Sequence, residues 1–242
     1  MRAILTALFG AVLACSLAAC SGGEPPEVDA VASQGAAVQP GSAPQPLEIV
    51  ETGWSVSEGG RLSYVAIVKN PNPGMECREP QFSVLPKDGQ GNTICHYLGI
   101  PYIVGAGSMV VLTDSWDVGE NSVASLDIAL EKPGVWREAE PLPEDLYEVS
   151  GLQKTQMSDG YWCEEAITGD LVRKHAVPVD GVGSVHIAIV CRDERGTILG
   201  GALGLVDNPP LGEKLPFDAA CFFAGEPASY EVYVMPGPPR NA

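Results

Sequence analysis

Apolar residues in this chain fall in short runs broken by Gly, Pro, Asn and Asp, and helix-period runs are scarce. Candidate strands cover residues 47–54, 62–69, 81–85, 93–98, 109–113 and 123–130. The second of these, Leu-Ser-Tyr-Val-Ala-Ile-Val-Lys, is strongly apolar along its length. Asn70-Pro71-Asn72-Pro73-Gly74 has the chemistry of a loop. Asp88-Gly89-Gln90-Gly91 reads as the turn that folds the fourth strand back beside the third. Strands and turns at this spacing describe one small β-sandwich.

The order then returns. Shifted by 105 positions, residues 62–91 lie over 167–196 without a gap: Lys69 meets Lys174, Pro73 meets Pro178, Asp88 meets Asp193 and Gly91 meets Gly196. Gly107 meets Gly212 at the same shift, and at 104 the run 124–128 lies over 228–232. Identities are few, but turn residues and apolar runs coincide. The pattern predicts an all-β chain with two tandem β-sandwiches, residues 47–132 and 145–236, and a short tail at 237–242. The Pro- and acid-rich stretch 133–144 is the connector between them. Two copies are too few for a solenoid.

The repeated unit resembles the FxLYD and late-embryogenesis-abundant-type immunoglobulin-like domains of secreted and lipid-anchored proteins. The residues that carry the resemblance are 167–174, 185–196, 212–217 and 230–234, with 62–69, 82–91 and 126–130 in the first copy. Of the aromatic-rich motif that names the family, only Asp88 and Asp193 are kept. The resemblance implies an immunoglobulin-like fold and an accessory or binding character. It implies no catalytic residue.

The N-terminus carries a different signal. Arg2 precedes an apolar stretch over residues 3–14, and Leu17-Ala18-Ala19-Cys20 closes it. A basic start, an apolar middle and small residues before the cut describe an export signal, and the box resembles that of bacterial lipoproteins. In that family the cysteine is diacylated and the chain is cleaved just before it. The resemblance implies a signal peptide at 1–19 and a mature chain held to a membrane by lipid on Cys20. Residues 21–46 contain no aromatic residue and no apolar periodicity, so 20–46 is expected to be a disordered spacer. As a flexible coil it would span about 28 Å. The expected location is the cell envelope. In a two-membrane bacterium Ser21 resembles the pattern sorted to the outer membrane, on its periplasmic side.

Charge narrows the partners. Against 31 Asp and Glu stand 14 Lys and Arg, for a net charge of −17. That suits a soluble, self-repelling surface and argues against nucleic acid, whose phosphates need basic side chains. No D-x-[DN]-x-[DN]-G calcium loop is present. After Cys20 no apolar run reaches the ~18 residues of a spanning helix, which leaves the lipid as the expected membrane contact.

In an exported chain, cysteines are disulfide candidates before they are metal ligands. Cys77 and Cys95 are expected to pair across the hairpin turn. Of Cys163, Cys191 and Cys221 any two can pair and one stays over, with Cys163 and Cys221 as the candidate bond; Cys191 has the parity of the inward Ile187 and Ile189. Catalytic chemistry finds little footing. There are three histidines, His96, His175 and His186, and no G-x-S-x-G. Gly105-Ala106-Gly107 lacks a third glycine and a following helix, so it is a turn. His175 and His186 flank one loop, but alternation puts His186 on the solvent face with Ala188 and Val190. Trp54, Trp116, Trp136 and Trp162 are expected as core or strand-edge anchors rather than a carbohydrate platform. No catalytic, cofactor or metal residue is predicted. The function expected is a non-catalytic binding or structural accessory module with an envelope protein as partner. The alternatives are a solute-binding lipoprotein of a transporter, which would need helical lobes, and a metal-dependent envelope enzyme.

Overall fold

Wherever a turn signal frees an apolar run to pair, the run becomes a strand, and among the described residues there is no helix. The chain is known from a computed structural model that describes residues 43–158, 163–176 and 183–237. The signal peptide, Cys20, the spacer as far as residue 42, Trp162 and the tail beyond Gly237 lie outside the described residues.

The first half contains β1 (Glu48–Val56), β2 (Arg61–Lys69), β3 (Met75–Arg78), β4 (Gln81–Lys87), β5 (Tyr97–Gly99), β6 (Ile103–Val104), β7 (Met109–Asp117), β8 (Ser125–Lys132) and β9 (Val135–Glu138). They form three sheets in the orders β1-β2-β7, β5-β4-β8 and β6-β3-β9. The second half contains β10 (Tyr147–Gln156), β11 (Glu165–Arg173), β12 (Ser184–Arg192), β13 (Ile198–Asp207), β14 (Lys214–Cys221) and β15 (Ser229–Pro236). These make one sheet, β10-β11-β14-β13-β12-β15. Cut between β14 and β13, that order repeats β1-β2-β7 and β5-β4-β8. Three elements differ from the sequence expectation. The strand expected at 93–98 is only β5, with a single bridge from Thr93 to Lys87. A short β3 follows the Asn-Pro loop, and the connector contains β9, which pairs with β3. Gln45, at the end of the expected spacer, already exchanges hydrogen bonds of 2.8 Å with the Asn72 side chain.

Turn chemistry agrees between the halves in detail. Asp88 Oδ1 accepts the backbone N–H of Gln90 and Asn92 at 2.9 and 2.8 Å, and Asp193 Oδ1 accepts those of Arg195 and Thr197 at 2.8 Å each. Each turn needs a left-handed residue, and Gly91 (φ 84°) and Gly196 (φ 81°) supply it. Ala124 N–H donates to Lys87 O at 2.8 Å, and Ala228 N–H to Arg192 O at 2.7 Å. The one motif residue that both copies keep is therefore a loop anchor.

A sheet with one face in water alternates buried and exposed residues, whereas one covered on both faces is apolar throughout. In β2 residues 62–68 are all buried, and in β12 so are Val185 and residues 187–191. The cause is packing of one half on the other. Val65, Ile67 and Val111 of the first half share a core with Ala188, Val190, Ile198 and Met235 of the second. The face of β12 expected in solvent is thus largely an internal interface, because the first half takes the place of water there. His186, at its margin, is half-buried.

Close backbone approach and polar contacts fix this interface. Ser63 Oγ accepts the Gly201 N–H at 3.2 Å and lies 3.4 Å from Gly201 O, both buried. A Cβ on Gly201 would overlap Thr113 and Val65, so only glycine fits. At the rim, Arg192 places two N–H groups on the Glu51 carboxylate at 2.7 Å each and a third contact on Glu231 at 3.0 Å. The Arg192 guanidinium beside it holds the Glu51 carboxyl below the usual glutamate range. Arg61 lies 4.1 Å over the Phe222 ring, and Ala224 N–H donates to Ser55 Oγ at 3.1 Å.

Candidate binding notch

The two halves treat one corner differently. In the second half β13 reaches β14 and pairs with it, Ala202 with Cys221 and Leu203 with Ala220. The positions 105 residues earlier are Tyr97 and Leu98 on β5, and Ser115 and Trp116 on β7. Small side chains allow backbone contact in the second half. In the first, the rings of Tyr97 and Trp116 stack with centroids 3.7 Å apart and planes at 4°, and Tyr64 stacks on Trp116 at 4.9 Å. Rings stand where ladder bonds would form, so β5 and β7 remain in separate sheets. Pro101, which cannot donate a backbone hydrogen bond, follows soon after β5. Residues 98–103 then overhang the free edge of β7.

That overhang faces the second half across a notch. Along β12, His186 lies between Met235 of β15 and Leu205 of β13. Leu98, Ile100, Tyr102, Leu112, Leu203 and Met235 line a cavity of about 170 Å³, to which Asp114 contributes a carboxylate and His186 an imidazole. Its surroundings are unusually apolar for this acidic chain: Leu98, Ile100 and Leu205 are 48%, 50% and 63% exposed. Asp114 is exposed at the mouth, and Ser115 N–H donates to its Oδ1 at 2.7 Å. Crowding by the walls nonetheless raises its carboxyl above the usual aspartate range. Burial lowers the His186 imidazole, which favours its neutral form. Arg61, the cation whose field reaches Asp114, is committed to Phe222 and to Ser115. The sequence hid this site because it depends on where β5 stops and on how the halves pack.

The cysteines do not form the expected bonds: Cys77, Cys95, Cys163, Cys191 and Cys221 are all free thiols. Cys77 sits on β3, before β4 begins, across from Val104 and Trp136. Cys95 lies beyond the other end of β4, next to Ile94, whose N–H bonds Pro86 O. β4 has seven residues, about 20 Å of strand, whereas a disulfide needs Cα atoms within about 7 Å. The hairpin forms as expected, but Cys77 lies on β3, before its first strand, and Cys95 beside its turn, so the two thiols sit at opposite ends. Cys163 packs with Ala166 and Ala220. Cys221, next to Ala220 on β14, turns to the opposite face and shares the second core with Cys191, as their parity indicates. Burial pushes both thiols up to about 12. Cys77 lines a second apolar cavity, of about 180 Å³, with Leu47, Leu130 and Trp136.

The remaining residues singled out from the sequence are dispersed. His96 pairs with Glu131 at 3.3 Å, and His175 with Asp145 at 2.8 Å. Trp54, Trp116 and Trp136 pack against the first core, and no two of them stack on each other. No protein-family model matches the chain, and the search among curated proteins returns no match.

Proposed function

We propose that this chain is a lipid-anchored protein of a bacterial cell envelope, with two tandem immunoglobulin-like β-sandwiches, and that it acts as a non-catalytic binding or structural accessory module. The observation that carries the binding role is the notch. Exposed Leu98 and Ile100 line one cavity, and exposed Leu205 lies across the ladder from its His186, on a chain of net charge −17. Apolar residues clustered on a charged surface mark a place of contact. The Leu17-Ala18-Ala19-Cys20 box supports anchoring, and the matched strand orders and Asp turns of the two halves support the tandem reading.

The test uses intact envelopes. Mature protein should fractionate with membranes, and a Cys20→Ala form should stay uncleaved or appear soluble. A photo-crosslinker at Leu205 should capture one envelope protein that the same group at Asn92 does not. Wild-type protein recovered free with another N-terminus would remove the anchor, and equal labelling from the two positions would remove the notch.

A further inference from the structure

The notch has a shape and a charge that together select an occupant. Its volume of about 170 Å³ is close to that of engineered cavities that admit one benzene-sized group. It therefore receives a side chain, not a folded element. Leu98, Ile100, Leu203 and Met235 offer an apolar sleeve, Asp114 is the one carboxylate among the lining residues, and burial disfavours the charged form of His186. One Asp114 oxygen is held by the Ser115 N–H, and among the described residues no ion pair engages the other. Arg61 does not close the gap, because it is held over Phe222 and against Ser115. A carboxylate at the open end of an apolar sleeve matches an ammonium group on an alkyl stem. The surplus of acids over the whole chain draws cationic partners toward it.

We infer that the notch between the halves takes a lysine side chain of a partner protein, with its alkyl stem against Leu98, Leu203 and Met235 and its ammonium on Asp114. This deepens the binding role proposed above and rests on it. An ammonium beside Asp114 favours its charged form, so docking should offset the upward shift that burial gives its carboxyl.

The experiment is an NMR titration of the ¹⁵N-labelled full chain in detergent micelles. The probes are the blocked peptides acetyl-Leu-Lys-Leu-amide and acetyl-Leu-norleucine-Leu-amide, and pentane-1,5-diamine. The lysine peptide should shift the amides of Gly99, Leu112, Asp114 and Leu203 saturably. It should bind about fivefold more tightly than the norleucine peptide, the ratio that one exposed charge pair supports. Asp114→Asn should erase that ratio, and Leu205→Ser should weaken both peptides alike; both positions are exposed, so the fold survives either change. Equal affinity of the two peptides for the unaltered chain, or shifts confined to other residues, would overturn the inference. Pentane-1,5-diamine binding as tightly as the lysine peptide would overturn the partner-protein assignment in favour of a free amine. Failure here leaves membrane fractionation and the Leu205 crosslink to judge the envelope reading by themselves.

Discussion

Two halves with one strand order end up with different surfaces, and the difference lies in a few side chains. Where the second half sets Ala202 beside Cys221, two strands touch and six strands join in one sheet. Where the first half sets Tyr97 on Trp116, the rings hold the corner open and the sheet stays divided. Backbone topology is therefore not enough to say where such a unit carries a cleft. Side-chain volume at one cross-strand position decides whether a corner closes through ladder bonds or stays open as a notch.

The largest expected contrast between the halves concerns thiols. Cys95 is partly exposed, whereas Cys163, Cys191 and Cys221 are buried. With thiols pushed up to about 12, Cys191 and Cys221 hold only about one part in ten thousand as thiolate at pH 8, before access is counted. Brief iodoacetamide treatment of the folded chain should thus modify Cys95 and leave the second half untouched by peptide mass mapping. Rapid labelling of Cys191 or Cys221 without denaturant would show that the second half opens where the comparison makes it closed.

Next in size is the bond between the halves. Gly201→Val puts methyl groups into Thr113 and Val65 and should cost about 2–3 kcal/mol. The loss should appear in one urea transition that tryptophan fluorescence and far-UV circular dichroism report together, since the core crosses both halves. Two separated transitions would mean that the halves fold singly and only touch. Arg192→Ala should cost less, about 1 kcal/mol, because Glu51 and Glu231 remain half in water. Its pH dependence has a definite sign. The Glu51 carboxyl is lowered in the folded state, so its contribution is complete above the ordinary value of 4.5 and fades as pH falls through the lowered one. The deficit of the variant should accordingly be full at pH 7 and shrink on acidification. A deficit unchanged down to pH 3 would assign the loss to packing instead.

Much of this architecture was legible in residue order, and the misses have physical causes. Apolar runs and turn residues located the main strands, and parity placed Cys191 and Cys221 in one core. The run in β2 signals the internal interface. Ser63, Tyr64, Val65, Ala66 and Ile67 follow one another without a charge, which in a strand signals cover on both faces. Reading His186 as solvent-facing assumed that a sandwich has a wet side, and the first half occupies most of that side. The pairing of Cys77 with Cys95 rests on the turn at Asp88 to Gly91, but that turn sets Thr93 against Lys87 and so leaves Cys95 near Pro86, while Cys77 on β3 meets Val104. The notch involves Leu98, Asp114, His186 and Leu205, which lie far apart in sequence and gather only after the halves pack. The signal that was present is the aromatic pair Tyr97 and Trp116 at positions where the second half has Ala202 and Cys221.

The smallest effect tests the likeness of the halves. Asp88 and Asp193 each fold a carboxylate over the next turn, accepting backbone N–H groups two and four residues on. Hydrogen bonds from Asn92 lead in lowering the Asp88 carboxyl, and the Thr197 backbone N–H leads for Asp193. The sign is the same for both. Each contribution is complete above the ordinary aspartate value of 3.8 and is lost as pH falls through the lowered folded value. Both groups lie in surface turns and are only partly covered, so Asp88→Ala and Asp193→Ala should give small losses of nearly equal size in urea midpoint at pH 7. Asp→Asn keeps an acceptor oxygen in place, so it should retain part of each turn and remove its dependence on acid. Asp88 also takes the Asn92 side-chain N–H at 3.0 Å, and Asp193 a side-chain hydrogen bond from Thr197, so the two turns are matched there as well. A large loss at one position with none at the other would show that the turns serve different purposes, and the case for one repeated unit would then rest on strand order alone.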